Sequence, residues 1–300
     1  MDSQNPSDTN AASGFPITCP IPCVRAKGTH FEIGQQIGEA VRPQVQHSIE
    51  NARNLITGSY STLGLDWDGA LIQARKYLPF AQERYMPYVD ELAGIAEGAD
   101  VSFDDLAVLN AMEAVTMDAL HLTKCTSLAV NEDRTADGHV LVAHNEDWLP
   151  EDEQDVFILH AEPEKEPPFL AMTYGGLLPN IGFNAYGVAQ ACDSVYPTDS
   201  RIGIPRVFVS RAVLSAHNLE DAVRSALVPQ RAAGYNTFWL MKAASSIRSK
   251  YPPGVLPSCT PRTGSSCIRT ITSIRRCSRS NMSRMSWSGR DCDIFGRCAS

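Results

Sequence analysis

The hydrophobic period of this chain changes at one place. Up to Lys124 the apolar residues recur at helical spacing, and from Cys125 onward they alternate with polar ones as in half-buried strands. Helices on one side of such a switch and antiparallel strands on the other must bury their apolar faces against each other, so the expected class is α+β, a layered arrangement. The switch falls on Lys124-Cys125-Thr126-Ser127-Leu128-Ala129-Val130. A cysteine there, freed as a new N-terminus by cleavage of the Lys124–Cys125 bond, would carry its own base. An α-amino group with an intrinsic pKa of about 8 can take the proton of the thiol. The competing reading of a lone cysteine is a small buried hydrophobe at a strand start.

Before the switch, Thr29-His30-Phe31-Glu32 forms a capping box, and Phe31, Ile33, Ile37 and Val41 give the helix that follows an apolar side. Gly34 and Gly38 lie on a face where a neighbouring element can come close. Pro43 should interrupt this helix, which resumes from Val45 to Ile56. A second helical region spans Trp67 to Ala96, divided by Pro79 and Pro87, and Ser102-Phe103-Asp104-Asp105 caps a third. After the switch, Thr126 to Val130 and His139 to His144 read as a hairpin with Asp137-Gly138 near its tip. Further strands are expected at Val156–Ala161, Phe169–Thr173, Ile181–Phe183 and Val188–Cys192, with a turn at Asn184-Ala185-Tyr186-Gly187. Helices return at Pro205–Ala216 and, capped by Asn218, at Leu219–Leu227.

No apolar run reaches transmembrane length, and Met1 to Gly14 lacks the basic and apolar regions of a signal peptide. No membrane partner is expected, and the location read from these features is cytoplasmic. The nine cysteines include no CxxC pair, and His139 and His144 point to opposite strand faces, so neither a metal nor a cofactor is expected. The net charge of -8 hides a break in composition. Thr237 to Ser300 holds nine Arg and two Lys against Asp291 and Asp293, a charge of +9, which leaves -17 on residues 1–236. So acidic a body excludes nucleic acid as its partner.

A thiol nucleophile needs activation, an oxyanion donor and something to orient its base. Asn145-Glu146-Asp147-Trp148 ends the hairpin that begins at Cys125, where it can fold back beside the cysteine. Asp147 can accept a hydrogen bond from a protonated α-amino group, and Asn145 can donate one to an oxyanion. His144 offers a rival arrangement, a Cys-His pair with Cys125. Taken in order, Gly28-x-x-x-Glu32-x-Gly34-x-x-x-Gly38, Cys125-Thr126-Ser127, His144-Asn145-Glu146-Asp147-Trp148, Gly182-Phe183-Asn184 and Gly234-Tyr235-Asn236 resemble one family. It is the family of cysteine N-terminal-nucleophile hydrolases that contains isopenicillin-N acyltransferase and β-alanyl-dopamine hydrolase. The resemblance covers roughly residues 25 to 236. It implies a four-layer αββα sandwich, matured by self-cleavage of one precursor into a helical α-chain and a catalytic β-chain. It also implies Cys125 as nucleophile, Asp147 orienting the α-amine, and Thr126, Asn184 and Asn236 as substrate or oxyanion contacts. The expected reaction forms an acyl-enzyme from a small amide or an acyl-CoA and passes the acyl group to water or an amine. Lys124 departs from the glycine that precedes the penicillin enzyme's cysteine, and it tolerates a strained scissile bond less well.

Beyond Asn236 the resemblance stops. Thr237 to Ser300 has 13 Ser, 9 Arg and 5 Cys in 64 residues and little periodicity. Literally it is a basic tail suited to RNA. A frameshift accounts for it more economically. If each new codon starts at the last base of an old one, Cys267 to Arg275 can encode His-Thr-Asn-His-Tyr-Leu-His-Pro, a string the family resemblance leads one to expect here, with an asparagine near the oxyanion. The expected organisation is therefore a disordered 1–28, a hydrolase domain 29–236 (29–124 helical, 125–236 an incomplete β-chain) and an aberrant tail 237–300. Two other readings follow, a non-catalytic family descendant and a basic-tailed RNA-associated protein. A peroxisomal address stays open, because a shifted tail would have displaced it.

Overall fold

The capping box expected at Thr29 starts the first helix. In the computed structural model, which describes residues 21–58, 64–115, 125–130, 132–194, 201–232 and 235–241, the Thr29 backbone N–H donates to Glu32 Oε2 at 2.8 Å while Thr29 Oγ1 accepts from the Glu32 N–H. Helix α1 (His30–Ala40) ends at Val41, and α2 (Arg42–Thr57) takes Pro43 in its first turn, where a missing N–H costs nothing. Asp66 caps α3 (Trp67–Arg75) through the Gly69 N–H at 2.7 Å. Helix α4 (Leu78–Ala99) likewise holds Pro79 in its first turn. Pro87 lies inside α4, and just before it Tyr85 leaves helical geometry at φ -136°, ψ 43°, which is the expected division reduced to a kink. Helix α5 (Phe103–Val115) completes the first half.

The close approach expected at Gly34 and Gly38 occurs, and its partner is α4. A Cβ on Gly34 or Gly38 would collide with the carbonyl oxygens of Glu91 and Ile95, and one on Gly94 or Gly98 with those of Phe31 and Gln35. Four glycines thus let α1 and α4 meet backbone to backbone.

The main sheet has the order β1-β4-β5-β6-β7-β8. Its strands are β1 (Cys23–Gly28), β4 (Val156–Pro163), β5 (Phe169–Tyr174), β6 (Ile181–Asn184), β7 (Val188–Ser194) and β8 (Tyr235–Met241). Two boundaries differ from the sequence reading. Residues 23–28 are not outside the domain: β1 pairs in parallel with β4 and buries Val24 and Ala26, an alternation hidden in a stretch rich in Pro and polar residues. At the other end β8 pairs with β7 past Asn236 to Met241, so the sheet runs into the segment expected to be aberrant. Phe157, Leu159 and Ala161 of β4 with Phe169 and Ala171 of β5 bury against Ile33, Ile37, Leu92 and Ile95. Fully burying one such large side chain is worth about 1.5–3 kcal/mol. Helices α6 (Arg206–Leu214) and α7 (Leu219–Ala226) follow, α6 packing on β6 and β7 and α7 capped by Asn218 as expected.

Strands β2 (Thr126–Val130) and β3 (Leu141–Asn145) form a separate two-stranded sheet against β7 and β8. Gln190 of β7 reaches α6 through Ser210 O at 3.0 Å, whereas Asp193, odd in the alternation, reaches the hairpin. The hairpin therefore lies on the face of the main sheet opposite α6. Among the described residues the layers are helices, main sheet and hairpin, a mixed α+β arrangement. Leu128 is 43% exposed, Leu141 54% and, on the main sheet, Phe183 54%. None of the helices in the described residues is long and apolar enough to cross a membrane.

Candidate active site

The register of the hairpin decides what surrounds Cys125. Thr126 pairs with Asn145 and Ser127 with His144, so continuing outward sets Glu146 opposite Cys125. Because side chains alternate, Cys125, Ser127, His144 and Glu146 share the face turned toward the main sheet, and Thr126, Asn145 and Asp147 share the other. Exposure follows the same division. Thr126, Asn145 and Asp147 are exposed; Cys125, Ser127, His144 and Glu146 are partly buried.

On the inner face the Cys125 sulfur, a His144 ring nitrogen and a Glu146 carboxylate oxygen lie within 4.8 Å of one another. His144 Nε2 is 2.8 Å from Glu146 Oε2, and Nδ1 is 2.9 Å from Ser127 Oγ. Ser127 spends its own proton on Asp193 Oδ1 at 2.6 Å. Ser127 can then only accept from His144 Nδ1, which fixes the ring beside Cys125.

Tyr174, at the end of β5, closes the site. Burial pushes its hydroxyl pKa up, and the negative charges of Glu146, Asp152 and Cys125 push it the same way. The same ring lies 6.5 Å from that of Trp148 between centroids, and both line a small cleft with Leu55, Leu109, Met112 and Leu149. Trp148 is held by its Nε1–H, which donates to Asp152 Oδ2, while Asn51 Nδ2 donates to Asp152 Oδ1 at 2.7 Å. One turn earlier on α2, His47 Nδ1 lies 2.8 Å from Asp155 Oδ2 and Ser48 Oγ donates to the same oxygen at 3.1 Å. Burial raises the Asp155 pKa even so, the bonds from His47 and Ser48 opposing it. Helix α2 thereby fixes the segment that follows the Asn145–Trp148 cluster.

The remaining expected residues are placed apart. Asn184 is buried at the β6–β7 turn, where Nδ2 donates to Leu214 O at 3.0 Å and Ala216 O at 2.7 Å. Its Oδ1 accepts from the Tyr186 and Val188 N–H groups, both at 3.1 Å, and Gly187 supplies the turn with φ 80°. Both amide hydrogens and both lone pairs are used within the fold, and none is left for a substrate. Asn236 on β8 is the register partner of Asp193. Lys124 lies outside the described residues. Sequence reasoning gave no role to Glu146, Ser127, Asp193 or Tyr174. The hairpin register would have found Glu146, whereas Asp193 and Tyr174 arrive from other strands and leave no local signal.

Residues 133–249 match the family described as acyl-coenzyme A:6-aminopenicillanic acid acyl-transferase. The match begins within the hairpin and extends past Asn236. The chain is 27% identical over 224 residues to beta-alanyl-dopamine/carcinine hydrolase of Drosophila melanogaster, covering 68% of this chain and 56% of that protein. It is 23% identical over 201 residues to the 40 kDa form of acyl-coenzyme A:6-aminopenicillanic-acid-acyltransferase of Emericella nidulans, covering 66% and 54%. The chain spans about half the length of the curated relatives it matches. The family resembled by the motifs is thus the one that residues 133–249 match.

Proposed function

We propose that this chain is a cysteine amidohydrolase or acyltransferase that forms an acyl-enzyme on Cys125. The observation that carries the reading is the Cys125 thiol at the head of β2, beside His144 and Glu146 and next to an apolar, aromatic cleft. In this reading the Lys124–Cys125 bond is first cleaved, and the freed α-amino group takes the thiol proton. The thiolate attacks the carbonyl of a small amide or acyl-CoA, and the oxyanion is met by a donor such as Asn145. Collapse expels the amine or CoA thiol, which takes the proton back, and water or an amine then attacks the thioester. Asp147 holds the α-amino group. The exposure of Asn145 and Asp147 in the uncleaved arrangement means that the hairpin end must turn for both to reach Cys125. Candidate substrates are those in the relatives' names: β-alanyl-dopamine, carcinine, and 6-aminopenicillanic acid with an acyl-CoA.

Intact-mass measurement after expression should show two chains separating at Cys125, with thioester adduct on the second after incubation with substrate. Cys125→Ser should lose the adduct and reduce turnover by several orders of magnitude. A single uncleaved chain with no adduct from any of these substrates would sink the reading. A second reading, in which His144 rather than the amine activates Cys125, is favoured by the hydrogen-bonded position of the ring. It predicts turnover by uncleaved protein that His144→Gln abolishes.

The basic tail belongs to the same proposal as a shifted reading frame. Sequencing the transcript across the codons for Gly234 to Met241 tests it: a one-base restoration of His-Thr-Asn-His downstream supports a shift, and an unaltered frame leaves a non-catalytic descendant.

A further inference from the structure

We propose that Cys125, His144 and Glu146 form a site for a zinc-class divalent cation, whose occupancy masks the Cys125 thiol. A thiolate, an imidazole and a carboxylate within 4.8 Å of one another are the donor types that Zn²⁺ selects. Three protein ligands with a fourth position left to water is also the usual composition of an open zinc site. What sets this cluster apart from a chance meeting of polar groups is the second layer. A histidine that binds metal through one ring nitrogen characteristically donates the other N–H to an oxygen that fixes ring and tautomer. His144 does so: Nδ1 is 2.9 Å from Ser127 Oγ, which donates its own O–H to Asp193 Oδ1 at 2.6 Å. Nε2 is then the nitrogen turned to the metal, and Glu146 Oε2, 2.8 Å from it, exchanges that hydrogen bond for coordination. Binding releases the thiol proton. Cys125 stands one residue before β2, His144 in β3 and Glu146 one residue after it, so the cation also ties the two arms of the hairpin together.

The cation site stands on geometry alone, while the statement that it blocks turnover rests on Cys125 being the nucleophile. Acyl transfer needs a thiolate with a free lone pair directed at the carbonyl, and a zinc-bound thiolate has committed it. The cation therefore stores the site in an unreactive form, reversed by a chelator.

The test uses the purified full chain, stripped of metal and titrated with Co²⁺ and then Zn²⁺. Cobalt bound by a thiolate gives a near-ultraviolet charge-transfer band. The band should saturate at one cation per chain, disappear as Zn²⁺ displaces Co²⁺, and be absent in Cys125→Ser. Ser127→Ala, which removes only the support of the ring, should weaken binding about 10- to 100-fold. His139→Ala should change nothing, its ring being 69% exposed on the outside of the hairpin loop. A band that survives Cys125→Ser unchanged, or none in a wild-type chain with an intact far-ultraviolet spectrum, overturns the proposal. Turnover separates the two readings. Activity lost with Zn²⁺ and restored by chelation supports the masking role, and activity indifferent to bound Zn²⁺ refutes it. Cobalt binding without activity in any metal state refutes the acyl-transfer reading and leaves the cation site standing.

Discussion

Asn145 and Asn184 are the same residue type near the ends of neighbouring sheets, and their surroundings are opposite. Asn145 is exposed on the outer hairpin face. Asn184 holds two carbonyls at the end of α6 and two N–H groups of its own turn. A buried group left without a partner costs about 1–3 kcal/mol. Asn184→Ala strands several, so it should lower stability by at least about 3 kcal/mol in chemical denaturation. A substrate contact would instead raise KM with stability unchanged, so unaltered unfolding of the variant would refute the structural role. The sequence showed the family's Gly-Phe-Asn motif but not its use, because an asparagine in a turn looks alike whether it meets the chain or a ligand. Cys125 was legible for a different reason. It stands where two hydrophobic periods meet, and that needs no knowledge of distant residues. Glu146 lay in view among Asn145 and Asp147, yet only the register tells which of the three faces the thiol.

At the scale of elements, the α1–α4 crossing gives the sharpest contrast between a local and a tertiary rule. By helix propensity alone, Gly94→Ala should stabilise α4 by about 1 kcal/mol. The added methyl, however, would sit against the Phe31 carbonyl oxygen, in backbone that cannot step aside as a side chain can. Overpacking costs about 1–3 kcal/mol where the surroundings yield, and here they yield least. A net loss of roughly 2 kcal/mol is expected, read as a fall in Tm, and a rise in Tm would show that the helices are free to part. Half of this crossing was legible: the spacing of Gly34 and Gly38 announced a close neighbour. The identity of the neighbour was not, since Gly94 and Gly98 lie some 60 positions away and fit any helix as well. The hairpin is the opposite case. Its strands were read from alternation, but an isolated two-stranded sheet is marginal in water, and Leu128 and Leu141 are exposed on its outer face.

The molecule as a whole is joined by a buried ionic seam that no local pattern betrays. His30, Tyr88 and Glu91 precede Cys125; Glu166 and Arg211 follow it. The Arg211 guanidinium is fully buried between the rings of Tyr88 and Phe169, 4.5 and 4.6 Å from their centres. It donates to Glu91 Oε2 at 2.9 Å and Glu166 Oε2 at 3.1 Å, and His30 Nδ1 lies 2.8 Å from Glu91 Oε2. In sequence these charges look like any solvated face; the α+β class was readable from the change of period, and the seam was not. Its consequence is a stability that depends on pH at both ends. Burial works against a charged His30, but hydrogen bonds to Glu166 and Glu91 and the Glu91 charge outweigh it, raising its pKa from 6.5 to about 9. Burial likewise works against a charged Glu166, but Arg211 and His30 outweigh it and lower its pKa from 4.5 to about 2. The folded state therefore holds the His30 proton more tightly than the unfolded chain does. Its contribution is complete below pH 6.5 and is lost as pH rises through about 9. The Glu166 contribution is complete above pH 4.5 and is lost as pH falls through about 2. Denaturation curves across this range should show greatest stability from this seam between pH 4.5 and 6.5. His30→Gln should flatten the alkaline limb while leaving an acid limb. Parallel wild-type and His30→Gln profiles above pH 6.5 would show that His30 does not carry that limb. If the chain is cut at Cys125, the same seam spans the cut, so the two pieces should co-elute at pH 6 and separate more readily under alkaline conditions, because loss of the His30 proton removes one of the two positive charges that Glu91 and Glu166 share.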